Sequence, residues 1–414
     1  MDVSGFIITL ENIGAEAGPC ISAERGVPEM LRFVSKPVQH VERKVYLQVW
    51  KNELKKCIRT VDQLKDCMDI PPEQEKRLKR VVELHPMRIT PYYMSLIDRD
   101  DPADPIRKMA VPSVRELDLS GSYDTSGEKQ STKMPGLQHK YPQTVLILAT
   151  NMCYSYCRYC FRKRMVGLPG GEILKRIRTA IDYIRDHPEI NNVLVSGGDP
   201  FTLSTAMIGE FLEELSGVEH LKFVRFGSKV PVTFPDRIIE DRELVGLLKT
   251  HSRRNRRIYV VTQFNHPREL TERSTEAVDL LIRNRVIVNN QTVLLKGVND
   301  DPRVLADLQN GMVRTGVNPY YLFHCRPVKR IKRSFQVTLA GGVSIVEDAG
   351  RMLDGHSKRF KYVMSHRTGK IEILGIIKGY IYFKYHQARN PARAGRCFRR
   401  KLTGDACWLD DLKR

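Results

Sequence analysis

From residue 144 onward the chain alternates short apolar runs with stretches of helical period. The runs are Val145–Ala149, Asn192–Ser196, Phe223–Gly227, Ile258–Thr262, Val286–Asn290 and Tyr320–His324. Continuous apolar runs of this length predict strands buried on both faces. Helical patterns fall between them at Glu172–Asp186, Leu203–Leu215, Glu243–His251, Ser274–Asn284 and Arg303–Thr315. A spacing of about thirty residues from strand to strand fits βαβ units. The fold class is therefore α/β, and six such strands predict a partial (β/α)6 barrel of TIM type. Reactive groups in such a fold gather at the C-terminal ends of the strands.

The flanks read differently. Residues 1–40 carry Gly and Pro and show no period. Leu47, Trp50, Leu54, Cys57, Ile58, Val61, Leu64 and Met68 recur at i, i+3, i+4, which predicts one amphipathic helix over Tyr46–Met68. Asp69-Ile-Pro-Pro72 ends it, and a second helix follows over Glu73–Leu84. Cys57 and Cys67 fall on the apolar side and read as core. Residues 86–140 are loop-rich. Beyond the barrel come a helix over Ala340–Leu353, β-rich segments at Gly369–Gly375 and Tyr380–Tyr385, and a basic stretch over 388–401. The expected organisation is a helical N-terminal region over 1–140, the barrel over 141–330 and a small β-rich C-terminal extension over 331–414.

With 414 residues, 41% of them hydrophobic, the chain can bury a sizeable core. No stretch approaches a membrane-spanning length, and Phe6-Ile-Ile-Thr-Leu10 is too short for a signal-peptide core, so a cytoplasmic protein with no membrane partner is expected. Nine cysteines, three of them closely spaced, argue for reduced thiols rather than a disulfide framework. The 68 basic against 48 acidic residues give a net charge of +20. That charge suits acidic partners, nucleic acid or an anionic cofactor, and equally a set of solvated basic faces.

The chemistry concentrates directly after the first barrel strand. Cys153, Cys157 and Cys160 stand at C-x3-C-x2-C spacing. Thiolates so close can converge on one iron–sulfur cluster. A [4Fe–4S] cluster takes four ligands, so three cysteines leave one iron open to a small molecule. A zinc site would pair such cysteines with a second pair or with histidines. No His lies between Gln143 and Asp186. Ser196-Gly-Gly-Asp-Pro200 ends the next strand, and paired glycines let backbone approach a ligand closely.

A C-x3-C-x-aromatic-C loop after a strand, followed one unit later by Gly-Gly-Asp-Pro, resembles the radical S-adenosylmethionine (SAM) enzymes. The finer similarity is to the lysine 2,3-aminomutase family. It is carried by Tyr93–Asp98, Pro105–Lys108, Gly136–Pro142, Phe161–Arg164, Gly227–Pro231, Phe264–Pro267, Asn290–Leu295 and Gly297–Asp300. The resemblance implies that the open iron chelates SAM and that an electron cleaves its sulfonium to a 5′-deoxyadenosyl radical. It implies cluster ligands at Cys153, Cys157 and Cys160. A SAM site is implied at Gly197, Gly198, Asp199, Ser228, Gln263 and Gln291, with Tyr159 beside the adenine. Gln263 takes a place that is His in the lysine enzyme. Arg162 matches the arginine that pairs the substrate carboxylate. A one-electron donor such as flavodoxin or ferredoxin, a small-molecule substrate of amino-acid type and a possible homo-oligomer also follow from it.

The departures from the family pattern bear on substrate and on pyridoxal phosphate (PLP). Lys370, in Ser365-His-Arg-Thr-Gly-Lys370, is nearest to the family's Schiff-base lysine but lacks its glycine run. Thr144 replaces a phosphate-binding arginine, with Lys140 nearby as another cation. Arg326 stands where an acidic residue would hold a lysine ammonium. Asp301 stands where a zinc cysteine is expected, and the tail offers only Cys397 and Cys407. Two readings remain open at this point. One is a PLP-dependent 2,3-aminomutase, an isomerase acting on an amino acid other than lysine through Arg162 and Lys370. The other is a PLP-free radical SAM enzyme acting on a larger anionic substrate.

Overall fold

The computed structural model describes residues 50–413. The irregular segment 1–40 and the first residues of the predicted Tyr46–Met68 helix lie outside them. One twelve-stranded sheet runs through the protein in strict chain order. Strands β1 (Thr132–Met134), β2 (Leu137–Tyr141) and β3 (Thr144–Thr150) pair antiparallel. The parallel part begins at β3 and continues through β4 (Asn192–Gly197), β5 (Phe223–Gly227), β6 (Arg257–Thr262), β7 (Ile287–Leu294) and β8 (Asn318–His324). These are the six strands the hydrophobic runs predict. A seventh, β9 (Lys361–His366), also pairs parallel to β8. It is bounded by Lys361, Ser365 and His366, so its apolar core of three residues is too short to stand out. Antiparallel strands β10 (Gly369–Ile377), β11 (Tyr380–Ala388) and β12 (Cys397–Lys401) close the series, and among the described residues β12 has no neighbour on its far side. The sheet passes without a break from β2 to β3 and from β8 to β9.

Side-chain alternation gives this open, partial barrel two distinct faces. Val145, Ile147, Val193, Val195, Val224, Phe226, Ile258, Val260 and Val288 are buried in one core with the outer helices. Their neighbours Leu146, Leu194, Arg225, Tyr259, Asn289 and Gln291 point to the other face and are only half-buried. That second face lines the lumen. Most outer helices start where a short polar side chain can accept a bond from the first turn. Ser204, Asp241, Thr271, Asp301 and Thr338 each do so. No such cap precedes the helix expected over Glu172–Asp186. It begins at Ile177, five residues late.

The predicted continuous Tyr46–Met68 helix is broken. Trp50–Glu53 is helical and Leu54–Lys56 is a 3-10 turn. Ile58 then exchanges backbone hydrogen bonds with Ile89 at 2.9 and 3.0 Å. Thr60 forms a capping box with Gln63 and starts a new short helix, Val61–Lys65. The apolar period spans two pieces that face the same core. No helix among the described residues is long and apolar enough to cross a membrane.

The C-terminal segment is built into the outer wall. His324 Nε2 and Gln336 Nε2 lie 2.8 and 3.2 Å from the Cys407 carbonyl. Trp408, 2% exposed, packs between His324 and His366 in a second core with Leu294, Leu322 and Phe383. Removing a buried aromatic of this size costs about 3–5 kcal/mol. Trp408→Ala is therefore expected to lower the urea midpoint measured by circular dichroism. An unchanged midpoint would mean that this segment does not support the fold.

Candidate active site

The loop after β3 carries Cys153, Cys157 and Cys160, all half-buried. Burial, with Cys157 next to it, pushes the Cys160 thiol up to about 11. Burial, and then the nearby Asp199, raise the Cys153 thiol well above its ordinary value. Both are thiols at neutral pH until a metal displaces the protons. The backbone around them is fastened. Tyr156 N donates to Arg88 O and Arg158 N to Met109 O, both at 2.8 Å. Gly198 N donates to Thr150 O at 2.5 Å and Asp199 N to Met152 O at 2.7 Å. A Cβ on Gly197 would sit 2.2 Å from Thr150 O, and one on Gly198 2.2 Å from Met152 O. Gly197 also has φ +124°, a conformation that favours glycine. The paired glycines therefore permit close approach of the end of β4 to Thr150 and to Met152 of the cysteine loop.

Ion pairs buried under the loop complete the anchoring. Arg158 donates to Glu116 through Nε at 2.9 Å and Nη2 at 2.6 Å, and to the carbonyls of His85 and Pro86. Lys163 Nζ lies 2.5 Å from the same carboxylate. Burial opposes the charge on Glu116, but Arg158 and Lys163 overcome it and bring its pKa down to about 2. Lys163 is nonetheless brought down to about 8, because burial acts on it too and Arg158 repels it while sharing its one anion.

Tyr159 is held by groups from two strand ends. Its hydroxyl lies 3.0 Å from Lys229 Nζ and 2.6 Å from Asn265 Nδ2, and donates to Gln263 Oε1 at 3.3 Å. Lys229 is paired with buried Glu269 at 2.8 Å, and Tyr93 donates to that same oxygen at 2.6 Å. The other Glu269 oxygen accepts from Asn265 N and His266 N. Sequence reading passed over Lys229 and Glu269. Their signal was a charged residue inside one matched block, Gly227–Pro231, and another two residues past the block Phe264–Pro267.

Of the expected SAM-site residues, Asp199 and Ser228 are buried and committed to the protein. The Asp199 carboxylate accepts from Phe201 N and Lys229 N, and Ser228 bonds it as well. Burial still raises Asp199 to about 6. Gln263, at the end of β6, and Gln291, on β7, are half-buried on the lumen side. Asp301 caps the Pro302–Arg314 helix by accepting from Arg303 N and Val304 N.

Deeper in the lumen the side chains are mostly cationic. Arg162 and Arg326 both lie against Phe161, at 4.5 and 4.1 Å from its ring centroid. Arg162 Nη1 reaches Ser196 Oγ and Gly197 O, while its buried Nε has no hydrogen-bond partner and stands 3.8 Å from Glu128. Arg326 bonds Ser126 Oγ at 3.0 Å, and burial brings it down to about 10. Lys370 Nζ lies 3.9 Å from the Tyr321 ring centroid and donates to no described residue. Burial, then Arg225, Arg326 and Lys140, brings its amine down to about 7. Lys140, held by the carbonyls of Ser126 and His366, is also brought to about 7, chiefly by burial. Arg225, unnoticed in the sequence inside the apolar run Phe-Val-Arg-Phe-Gly, donates to Asn192 Oδ1 at 2.6 Å. Asn192 in turn bonds Thr144. A guanidinium thus stands one side chain away from the position where Thr144 replaces the expected arginine.

These residues can be compared with known proteins. The model of the "Radical SAM superfamily" matches residues 147–308. A protein of Aquifex aeolicus provisionally named an L-lysine 2,3-aminomutase is 40% identical over 357 residues, 86% of this chain and 95% of that one. The L-lysine 2,3-aminomutase of Clostridium subterminale is 38% identical over 75% of this chain and 73% of its own. The glutamate 2,3-aminomutase of Clostridioides difficile is 35% identical over 72% and 70%. The chain belongs to the lysine 2,3-aminomutase family of radical SAM enzymes. It is an isomerase, and membership brings a [4Fe–4S] cluster and SAM with it.

The residues fit those groups. Three half-buried thiols sit on a fastened loop. No set of three His, Cys, Asp or Glu among the described residues is placed to bind a single metal ion. That is compatible with a cluster, in which each thiolate takes its own iron. The Glu116 carboxylate gives a further test. A folded pKa near 2 against an ordinary value of about 4.3 means its stabilisation is complete above pH 5 and is lost as pH falls toward 2. Glu116→Gln leaves Arg158 and Lys163 uncompensated. It should cost about 3–5 kcal/mol at neutral pH. Urea midpoints of the apoprotein should show the gap to wild type narrowing between pH 5 and 3. A constant gap would exclude a charged Glu116.

Proposed function

We propose that the protein is a PLP-dependent radical SAM 2,3-aminomutase for an amino acid with an acidic side chain. The carrying observation is the pair Arg162 and Arg326 against the one Phe161 ring, with Arg326 standing where the lysine enzyme would need an acidic residue. Guanidinium groups pair carboxylates through two parallel hydrogen bonds, so two such groups suit a dicarboxylate such as glutamate. The glutamate 2,3-aminomutase among the relatives is in keeping with this. Arg162 would take the α-carboxylate with its unpartnered Nε, and Arg326 the side-chain carboxylate.

Cys153, Cys157 and Cys160 would ligate the cluster. SAM would be held by backbone at Gly197 and Gly198 and by Gln263 and Gln291, with Tyr159 beside its adenine. Asp199 and Ser228 would keep the ends of β4 and β5 in register for it. Lys370 would carry PLP. Its amine near 7 is uncharged often enough to act as a nucleophile. Arg225 and Lys140 would offer cations to the phosphate that the missing glycine run would otherwise cradle. When bound, cluster and SAM supply the hydrogen-abstracting radical and PLP carries the migrating amino group. In this reading residues 141–330 serve SAM cleavage and carry Arg162, Arg225 and Arg326, 331–414 supply Lys370, and 1–140 supply Lys140.

Two experiments test it. Anaerobically reconstituted protein should cleave SAM with a low-potential reductant. Cys→Ala at 153, 157 or 160 should abolish the cluster absorption and the cleavage, and a triple variant with full iron and sulfide would refute the ligand assignment. With PLP and a panel of amino acids, glutamate should give a 3-amino product and lysine none. Borohydride reduction should leave a pyridoxyl group on Lys370, and Arg326→Met should cut kcat/KM at least tenfold, about 1.4 kcal/mol. Unmodified Lys370 in a SAM-cleaving enzyme, or turnover of lysine, would overturn the proposal.

A further inference from the structure

The antiparallel extension β10–β12 carries chemistry that the aminomutase site does not use. Between Lys378 and Lys401 the chain has eight lysines and arginines and no aspartate or glutamate. The register sorts these residues onto two faces. Ile381 and Phe383 of β11 are fully buried against the second core. Tyr380, Tyr382 and Lys384 alternate with them and point outward, opposite Lys401, Arg399 and Cys397 on β12. Lys384, Arg399 and Lys401 are exposed, and the two tyrosines are half-exposed. The Arg399 guanidinium lies 4.4 Å from the Tyr380 ring centroid and donates to the Tyr382 hydroxyl at 3.3 Å. Beside them Ile377, paired with Tyr380, is 59% exposed.

We propose that this outward sheet face is a binding platform for single-stranded nucleic acid. Strand residues two apart lie about 7 Å from each other on one face. Tyr380 and Tyr382 therefore offer two rings on which successive bases can stack, with Arg399 between them. Aromatic rings interleaved with cations on an exposed sheet are what single strands bind, because every base has a stacking face and every linkage a phosphate. An acidic protein would satisfy the cations equally well but would give the rings no such role. The only acidic residue within β10–β12, Glu372, is neutralised by Lys361 at 2.9 Å, so nothing on the sheet repels phosphate.

The test uses the full-length, anaerobically reconstituted enzyme and a fluorescein-labelled twelve-nucleotide oligouridylate, read by anisotropy. Binding should weaken with salt, linearly on logarithmic axes. The double variant Tyr380→Ala, Tyr382→Ala should weaken it at least tenfold, and Arg399→Glu likewise. Both should retain the wild-type far-UV spectrum and SAM cleavage. Polyglutamate of equal charge should fail to displace the oligonucleotide. Three results would each overturn the proposal: no binding at low salt, binding indifferent to the two tyrosines, or displacement by polyglutamate at equal charge. The last would make the face a site for acidic proteins.

Discussion

The cysteine loop is gripped from below by a buried carboxylate and from the side by the backbone of β4. Glu116 holds Arg158 and Lys163 beneath it, and the hydrogen bonds from Gly198 and Asp199 close against Thr150 and Met152. A buried three-charge cluster is costly to desolvate and contributes little net stability compared with apolar packing. What it contributes here is position. Three sulfurs must stay free of protein partners while the backbone between them stays fixed. The loop spends its other polar groups on partners elsewhere: Arg158 and Lys163 on Glu116, and Tyr159 on Gln263, Lys229 and Asn265. The lumen depends on the same grip, since Arg162 follows the last cysteine by two residues.

A second constraint is electrostatic. Arg162, Arg225, Arg326, Lys140 and Lys370 all border one lumen, and Glu128 is the carboxylate set among them. Glu128 is held below its ordinary pKa by Arg162, Arg164 and Arg326 despite burial. The imbalance bears on the lysines, whose charge is the easiest to lose. Both Lys140 and Lys370 are drawn toward neutrality by burial and by their cationic neighbours. An anionic ligand entering this lumen relieves repulsion already present, and a cationic one adds to it.

Much of this was legible in the sequence, and the limits have physical causes. The six apolar runs became parallel strands because burial on both faces leaves an uninterrupted apolar signature. Strand β9 hid because its ends are polar, and the helical period over 46–68 runs on through a break because period alone cannot show the Ile58–Ile89 pairing that makes it. At the site, Cys153, Cys157, Cys160 and Arg162 were visible through spacing. Arg225, Glu116 and Glu269 were not, because each acts through partners distant in the chain: Asn192 for Arg225, Arg158 and Lys163 for Glu116, Lys229 and Tyr93 for Glu269. The glycine pair was legible as a close approach, but only the folded chain shows that the backbone of Thr150 and Met152 comes that close to it.

The twelve strands follow one another across the sheet in the order of the chain, each pairing with the strand before it. No strand has to wait for a later one to be inserted at its side. A chain emerging from the ribosome could therefore lay the sheet down edge to edge, domains forming from the N-terminal side as synthesis proceeds. In that order the cysteine loop and the strand ends facing it are complete about a hundred residues before β10 brings Lys370 into the lumen. The two halves of the chemistry are thus separate in the time of synthesis, and an ancestor lacking the last strands could have possessed the first half alone.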